Sequence, residues 1–399
     1  MLYNSLTMEI KQFTYKFCIF LLATTSVFSS EFDIKTFGTL GAVYNDNSNY
    51  IYRKDIFQKD GSSGDLSFKT DTLIGLQASF SVNENFSLLL QGIVNNDYND
   101  ETKATIDWGY LKYDSGENFV IKIGRIRTPY YKNSDNLNVG YSNLMIRESV
   151  EVYGQVPFSS YNGIEATYSN IIDKYFYTLQ ANYGKEELVV PIHSIHQEAN
   201  IEIDNLYALN LTFGTTALQA RATYLNADIT ASSASLEQLF GGLRAAGLDT
   251  LANRYDFKDK NSQYMGVGLF LDYNNIIFTT EYGRRKIPSF FANTHGYYAT
   301  LGYSFDKFIP YITYAKSKMD TPTYDANTGI AALDTLLRAQ NLAQSSKTLG
   351  VKYYINENFD LKFQYERVVP KGDYGSYHLS SVQKPQELNV FSFALDFIF

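Results

Sequence analysis

The chain has 399 residues and a formal charge of −8, with 34 Tyr and 28 Phe against one Trp, eight Pro, one Cys and four His. A single cysteine excludes an internal disulfide framework, and the acidic balance argues against a nucleic-acid partner. Past the N-terminus no run approaches the ~18 consecutive apolar residues of a membrane-spanning helix, whereas aromatics this abundant suit strands and lipid interfaces.

The first stretch, MEIKQFTYKFCIFLLATTSVFSSEF, sets Lys11 and Lys16 before an apolar segment from Phe17 to Ala23, with small polar residues after it. Charged, apolar and cleavage regions in that order predict a secretory signal peptide over residues 1–29, cut after Ser29, with Met8 as a second candidate start. A short buried helix is the competing reading, and the cleavage-like VFSSEF argues for export. Cys18 lies inside the apolar core, lacks the small neighbours of a lipoprotein site, and leaves with the signal. Losing Glu9, Lys11 and Lys16 moves the formal charge from −8 to −9. Residues 30–399 then form one domain without a thiol.

From Ile34 onward apolar residues recur at every second position. Clear cases are YFYTLQANYG (175–184), NLYALNLTFG (205–214), HGYYATLGYSF (295–305), TLGVKYYIN (348–356) and NFDLKFQYERV (358–368). Period two means a strand with one apolar and one polar face, and ~9–11 residues suffice to cross a membrane when tilted. Tight turns are expected at 82–85, 114–117, 170–173, 215–216, 274–275, 306–307 and 356–358. Longer polar connections fall at 45–65, 96–103, 128–161, 184–204, 227–260, 287–294, 319–346 and 370–386.

Short and long connections alternate throughout, which predicts an all-β, transmembrane, antiparallel up-and-down barrel of about sixteen strands. A soluble sandwich has no reason to gather every tight turn at one end. The last strand, about 387–399, is expected to close on the first, about 34–44, and so remove both sheet edges. Phe391, Phe393, Leu395, Phe397 and Phe399 then face lipid. Asp396 faces the lumen, because a Lys or Arg near mid-bilayer costs up to ~2–4 kcal/mol and an acid somewhat less.

Sixteen strands enclose a water-filled lumen, so passage is the expected activity, with selectivity set by whatever narrows and charges the pore. The connection at 128–161 is the candidate constriction. Asp135, Glu148 and Glu151 supply an acidic side, Arg147 lies among them, and Lys122, Arg125 and Arg127 stand at or near the preceding strand end. Tyr130, Tyr131, Leu144, Met145, Ile146, Val150, Val152, Tyr153 and Phe158 favour burial against a wall over a solvated surface loop. Alternation turns Arg221, Glu281, Arg285, Lys352 and Lys362 inward. Residues 233–255 and 329–344 read as helices, with leucines near the 3.6 period and a shared LDTL, the first interrupted at Gly241 and Gly242. They are expected to pack over the rim, or to act as a lid, a partial plug or a contact between protomers.

No catalytic, cofactor or metal set emerges. His193 and His196 with Glu198 make at most a weak surface metal site, and solvated loop histidines are the better account. NDNSNY (45–50) and NNDYNDE (95–101) lack the glycine and final glutamate of a calcium loop. GVGLF (266–270) lacks the third glycine of a dinucleotide loop. A barrel enzyme, such as a lipid hydrolase or protease, would need a histidine or paired carboxylates beside a nucleophile, and none is marked.

Two stretches carry a family resemblance. GRIRTP (124–129) and EVYGQVPFSSYNG (151–163) resemble the third loop of Gram-negative porins, which folds into the barrel and forms its constriction. The C-terminal strand, Phe391 to Phe399, resembles the assembly signal read on porins by the outer-membrane insertion machinery. The resemblance implies a general-porin-like barrel in the outer membrane of a Gram-negative bacterium, passing small hydrophilic solutes and ions by passive diffusion. It further implies a homotrimer, with the third loop's wall near the threefold axis. A solute-specific channel, and a barrel with a plugged lumen serving as a structural or adhesin protein, remain the alternatives.

Overall fold

A computed structural model describes residues 32–399 apart from 56–57, 59–60, 97–100, 157, 193–196, 321–326, 341, 372–376 and 381–385. The expected signal peptide, His193, His196 and most of NNDYNDE lie outside the described residues. Sixteen long strands follow the chain. The first eight are β1 Phe32–Asn45, β2 Leu73–Ser81, β3 Phe86–Asn96, β4 Thr102–Asp114, β5 Phe119–Arg127, β6 Ser160–Ile172, β7 Tyr175–Ile192 and β8 Gln197–Gly214. The rest are β9 Leu218–Ser232, β10 Lys260–Tyr273, β11 Ile276–Lys286, β12 Thr294–Tyr303, β13 Phe308–Met319, β14 Gln344–Tyr354, β15 Phe359–Pro370 and β16 Leu388–Ile398.

Each strand pairs antiparallel with its neighbours in sequence, and β1 pairs with both β2 and β16. The closing register runs from Phe37 opposite Ile398 to Asn45 opposite Val390. Thr36 and Phe399 exchange backbone hydrogen bonds of 2.7 and 2.8 Å, so the seam is sealed to the last residue. Closure leaves no strand edge unpaired, as a transmembrane sheet requires.

The tight turns gather at one end, as alternation demands. At 274–275 both asparagines have positive φ, 49° and 67°, which matches a two-residue turn to the right-handed twist of its strands. The other end carries the long connections, but 97–101 and 193–196 are short there too. The sequence expectation of a polar loop over 184–204 is corrected: β7 continues to Ile192 and β8 begins at Gln197. Glu187, Glu202 and Asp204 sit on the outer face of these two strands, exposed beyond the apolar belt, so charge on a strand looked like a loop.

Burial follows the expected alternation. Phe391 and Phe399 are 52% and 59% exposed on the outside, while Ser392, Ala394 and Asp396 are buried inside. An apolar belt that includes Leu40, Leu76, Leu88, Leu209, Leu269, Leu301 and Leu349 faces outward around the barrel, the pattern of a transmembrane barrel wall.

Among the described residues, four short α-helices belong to the long connections: α1 Val150–Tyr153, α2 Ala234–Ala245, α3 Asp249–Tyr255 and α4 Ala331–Ala339. Ser233 caps α2, its side chain accepting from the Leu236 amide. Gly241 and Gly242 do not interrupt this helix, contrary to the sequence reading; the break comes at Gly247, where φ is +76°. Leu236, Phe240 and Leu243 pack with Leu333, Leu336, Leu337, Tyr255, Phe257, Ile287 and Phe290 in one apolar cluster at the rim.

Candidate constriction site

Residues 128–159 leave β5, enter the lumen and return to β6. The inward polar face of the barrel determines their course, because each loop carbonyl or charge taken from water needs a partner. At the start, the Pro129 carbonyl accepts from Arg221, and the Tyr130 carbonyl accepts from Thr223 at 3.2 Å, both on β9. The Lys132 amide donates to Glu281 on β11 at 3.0 Å. Glu281 also accepts from Tyr298 at 2.7 Å and from loop Tyr153 at 3.2 Å.

Further along, the loop lies on β14, β15, β16 and β1. Lys352 donates to the carbonyls of Tyr141 and Asn143, and Lys362 donates to those of Gly140 and Met145, the Gly140 bond at 2.6 Å. Each lysine also has an acid: Asp360 lies 3.2 Å from Lys352, and Asp396 lies 2.9 Å from Lys362. All four side chains are at most 2% exposed. A β-carbon at Gly140 would overlap Asp396 and Thr39, so only glycine lets the loop backbone come this close to the wall.

The returning arm is held as firmly. Arg147 pairs with Asp71, donates to Ser392 and stacks 5.0 Å over the Tyr52 ring. Glu151 accepts from Gln344 and Ser346 on β14, each at 2.9 Å. Arg285 donates to the Gln155 carbonyl at 3.2 Å. Glu148 accepts from Asn133 within the loop at 2.7 Å. Burial pushes the Glu148 carboxyl up to about 7, with Glu281 adding to the rise and the Asn133 bond opposing it. A water-sized cavity of about 20 Å³ remains between this arm and β13–β15, beside Arg147, Glu148, Thr313, Thr348 and Glu366.

The predicted site residues therefore fall into two groups. Arg147, Glu148, Glu151, Arg221, Glu281, Arg285, Lys352 and Lys362 hold the loop together or to the wall. Asp135 differs: it is exposed on the loop, close enough to Lys122 and Arg221 for direct Coulombic interaction. Lys122 pairs with Glu165 on β6 at 2.8 Å and Arg125 with Glu186 on β7 at 2.8 Å, and both cations keep part of their surface in the open. Arg127 is buried against Asp107 on β4 at 2.7 Å, and Asp107 also accepts from loop Asn138.

Sequence reading found the cations and missed most of their acids: Asp71, Asp107, Glu165, Glu186 and Asp360. Alternation alone turns Asp360 inward; for the others the pairing needs the register between strands, or the course of a loop, which no single stretch carries.

No family model matches the chain, and no curated protein does. Solved structures do match over its length. The outer-membrane channel DcaP of Acinetobacter baumannii aligns at a TM-score of 0.58 and 13% identity, over 93% of this chain and 97% of that one. Salmonella typhi OmpF, in a complex with daunomycin, gives 0.56 and 15%, over 92% and 97%. An anion-selective porin from Comamonas acidovorans gives 0.54 and 11%, over 93% and 100%. With its closed sixteen-stranded wall and a third long-side connection folded inside it, the chain has the fold of the outer-membrane porins.

Proposed function

We propose that the protein is a non-enzymatic outer-membrane channel through which small hydrophilic solutes and ions diffuse passively. Export by residues 1–29, insertion guided by Phe391 to Phe399, and assembly as a homotrimer belong to the same reading. The observation that carries it is the in-folded loop, on which Asp135 stays exposed and is electrostatically coupled to Lys122 on β5 and Arg221 on β9. Opposed charges across a narrow aqueous path orient a dipolar solute and discriminate among ions.

Purified protein in a planar bilayer is expected to give stable ohmic steps. Asp135→Asn should shift the reversal potential in a salt gradient toward anion preference, and Lys122→Gln toward cation preference. Well-inserted protein without any conductance would refute the channel reading.

One observation favours the plugged-barrel alternative. Inside the mouth at the long-connection end, Tyr50 and Tyr52 pack on Val43, Val368, Leu388 and Val390, while the helical cluster covers another part of the rim. If this packing closes the mouth permanently, wild-type protein is silent and deletion of 233–255 opens conductance. Conductance in the wild type removes that reading.

A further inference from the structure

Closure joins the first strand to the last within the apolar belt, but it does not make the strands equal in length. At the long-connection end β5 stops at Arg127 and β6 starts at Ser160, whereas β7 runs on to Ile192. The ladder between β6 and β7 ends at Asn162 opposite Lys185, while that between β7 and β8 continues to Ile192 opposite Gln197. Ser160 and Tyr161 pair only with β5. On its far side β8 is covered by β9 as far as Asn200 opposite Ser232. One stretch beyond the belt is therefore open, the edge of β7 over residues 186–190. No described residue forms a backbone hydrogen bond with it on that side.

The open stretch is held extended from behind and from within. At its base β8 carries a bulge: Ile203 lies opposite Glu186 and Leu206 opposite Gly184, so Asp204 and Asn205 together face Lys185. Asn205 has a positive φ of 47°, and a bulge bends its strand and sharpens the local twist. On the inner face Leu188 packs against Ile126, Tyr161, Ile203 and Leu206, and Val190 is buried. A strand edge ordered in this way is a template for one more strand.

The charges select what can join it. Residues 185–204 hold four glutamates and one aspartate against one lysine and no arginine, so the hairpin attracts cations. Glu187 lies directly opposite Glu202, and Asp204 opposite Asp228, and like charges across a ladder repel. Lys185 stands 3.8 Å from Glu187 with both side chains largely in water. Two copies of this edge side by side would set Glu186 and Glu187 against their own kind, which disfavours a second copy. We propose that the β7 edge over residues 186–190 is a docking site for an extended basic segment of a partner polypeptide, added to the sheet as one more strand. Its backbone pairs with the open edge. Lysines or arginines at alternate positions stand beside Glu187 and relieve its repulsion with Glu202, and the apolar residues between them turn inward beside Leu188. The inference rests on strand register and not on conduction, so it stands or fails apart from the channel reading.

The test uses the barrel of residues 30–399, which holds no cysteine, and a fluorescent seven-residue peptide alternating lysine and valine. Fluorescence anisotropy should show saturable binding of this peptide and none of its glutamate–valine counterpart. The variant Glu187→Gln, Glu202→Gln should bind it about three- to tenfold more weakly, and salt should weaken wild-type binding too. Crosslinking separates strand addition from loose attraction. With Val189→Cys, whose side chain faces outward, copper phenanthroline should form a disulfide to peptides with cysteine at a lysine position and not at a valine position. Failure of the lysine peptide to bind, binding untouched by the two glutamine changes, or equal crosslinking from both peptide faces overturns the proposal. So does a disulfide between two barrels that forms as readily as the one to the peptide, because the edge would then belong to a second copy.

Discussion

Lys362 is the residue on which the attachment of the loop most depends. It sits with no exposed surface, paired to Asp396 and donating to two loop carbonyls. Replacing it with Ala or Met leaves Asp396 buried beside Asp360 without a counter-charge, and removing one member of a buried pair costs about 3–5 kcal/mol. Thermal unfolding in detergent, followed by the shift in electrophoretic mobility, should fall well below wild type for Lys362→Met. The double change Lys362→Met, Asp396→Leu should recover much of that loss. If the single variant melts like wild type, the clamp has been misjudged.

Glu148 gives a pH dependence of defined sign. Its carboxyl is raised to about 7, so the folded protein holds this proton more tightly than the unfolded chain. The contribution is complete below the ordinary glutamate value of ~4.3, declines as pH rises, and is gone above about 7, where the carboxylate faces Glu281 with the Asn133 bond, Lys132 and Lys362 in opposition. Glu148→Gln should flatten the stability profile across that interval. A variant profile that keeps the wild-type slope would assign the effect to another group.

At the scale of elements, strands were legible and loop courses were not. Each strand announces itself through local alternation; NFDLKFQYERV needed nothing else to orient Lys362 inward and Phe363 outward. The in-folded connection was legible as a whole, through its length and its buried-type residues. Its docking partners were not, because Arg147 meets Asp71 and Glu151 meets Gln344 across separations that only closure of the barrel brings together. The helix over 234–245 shows the same division: its leucine spacing was plain, whereas its passage through Gly241 and Gly242 depended on packing against α4. Gly140 is where sequence gave no hint and geometry is strict. Gly140→Leu cannot keep the loop against Thr39 and Asp396, so the segment 139–145 should lift toward the free side of the lumen and cut unit conductance. Unchanged conductance would show that the passage does not run past this segment.

For the whole molecule, the account rests on an apolar wall outside and a polar space inside, divided residue by residue along every strand. Paired spin labels on β7 test this most directly. Leu179 is 47% exposed on the outside, and Gln180 points inward on a stretch of β6–β8 that the loop leaves partly open. In reconstituted protein, a label at Leu179 should be relaxed by oxygen dissolved in the bilayer and protected from a water-soluble nickel chelate. A label at Gln180 should show the reverse. If Leu179 reports water and Gln180 reports hydrocarbon, the assignment of the two faces is wrong, and the channel reading fails with it.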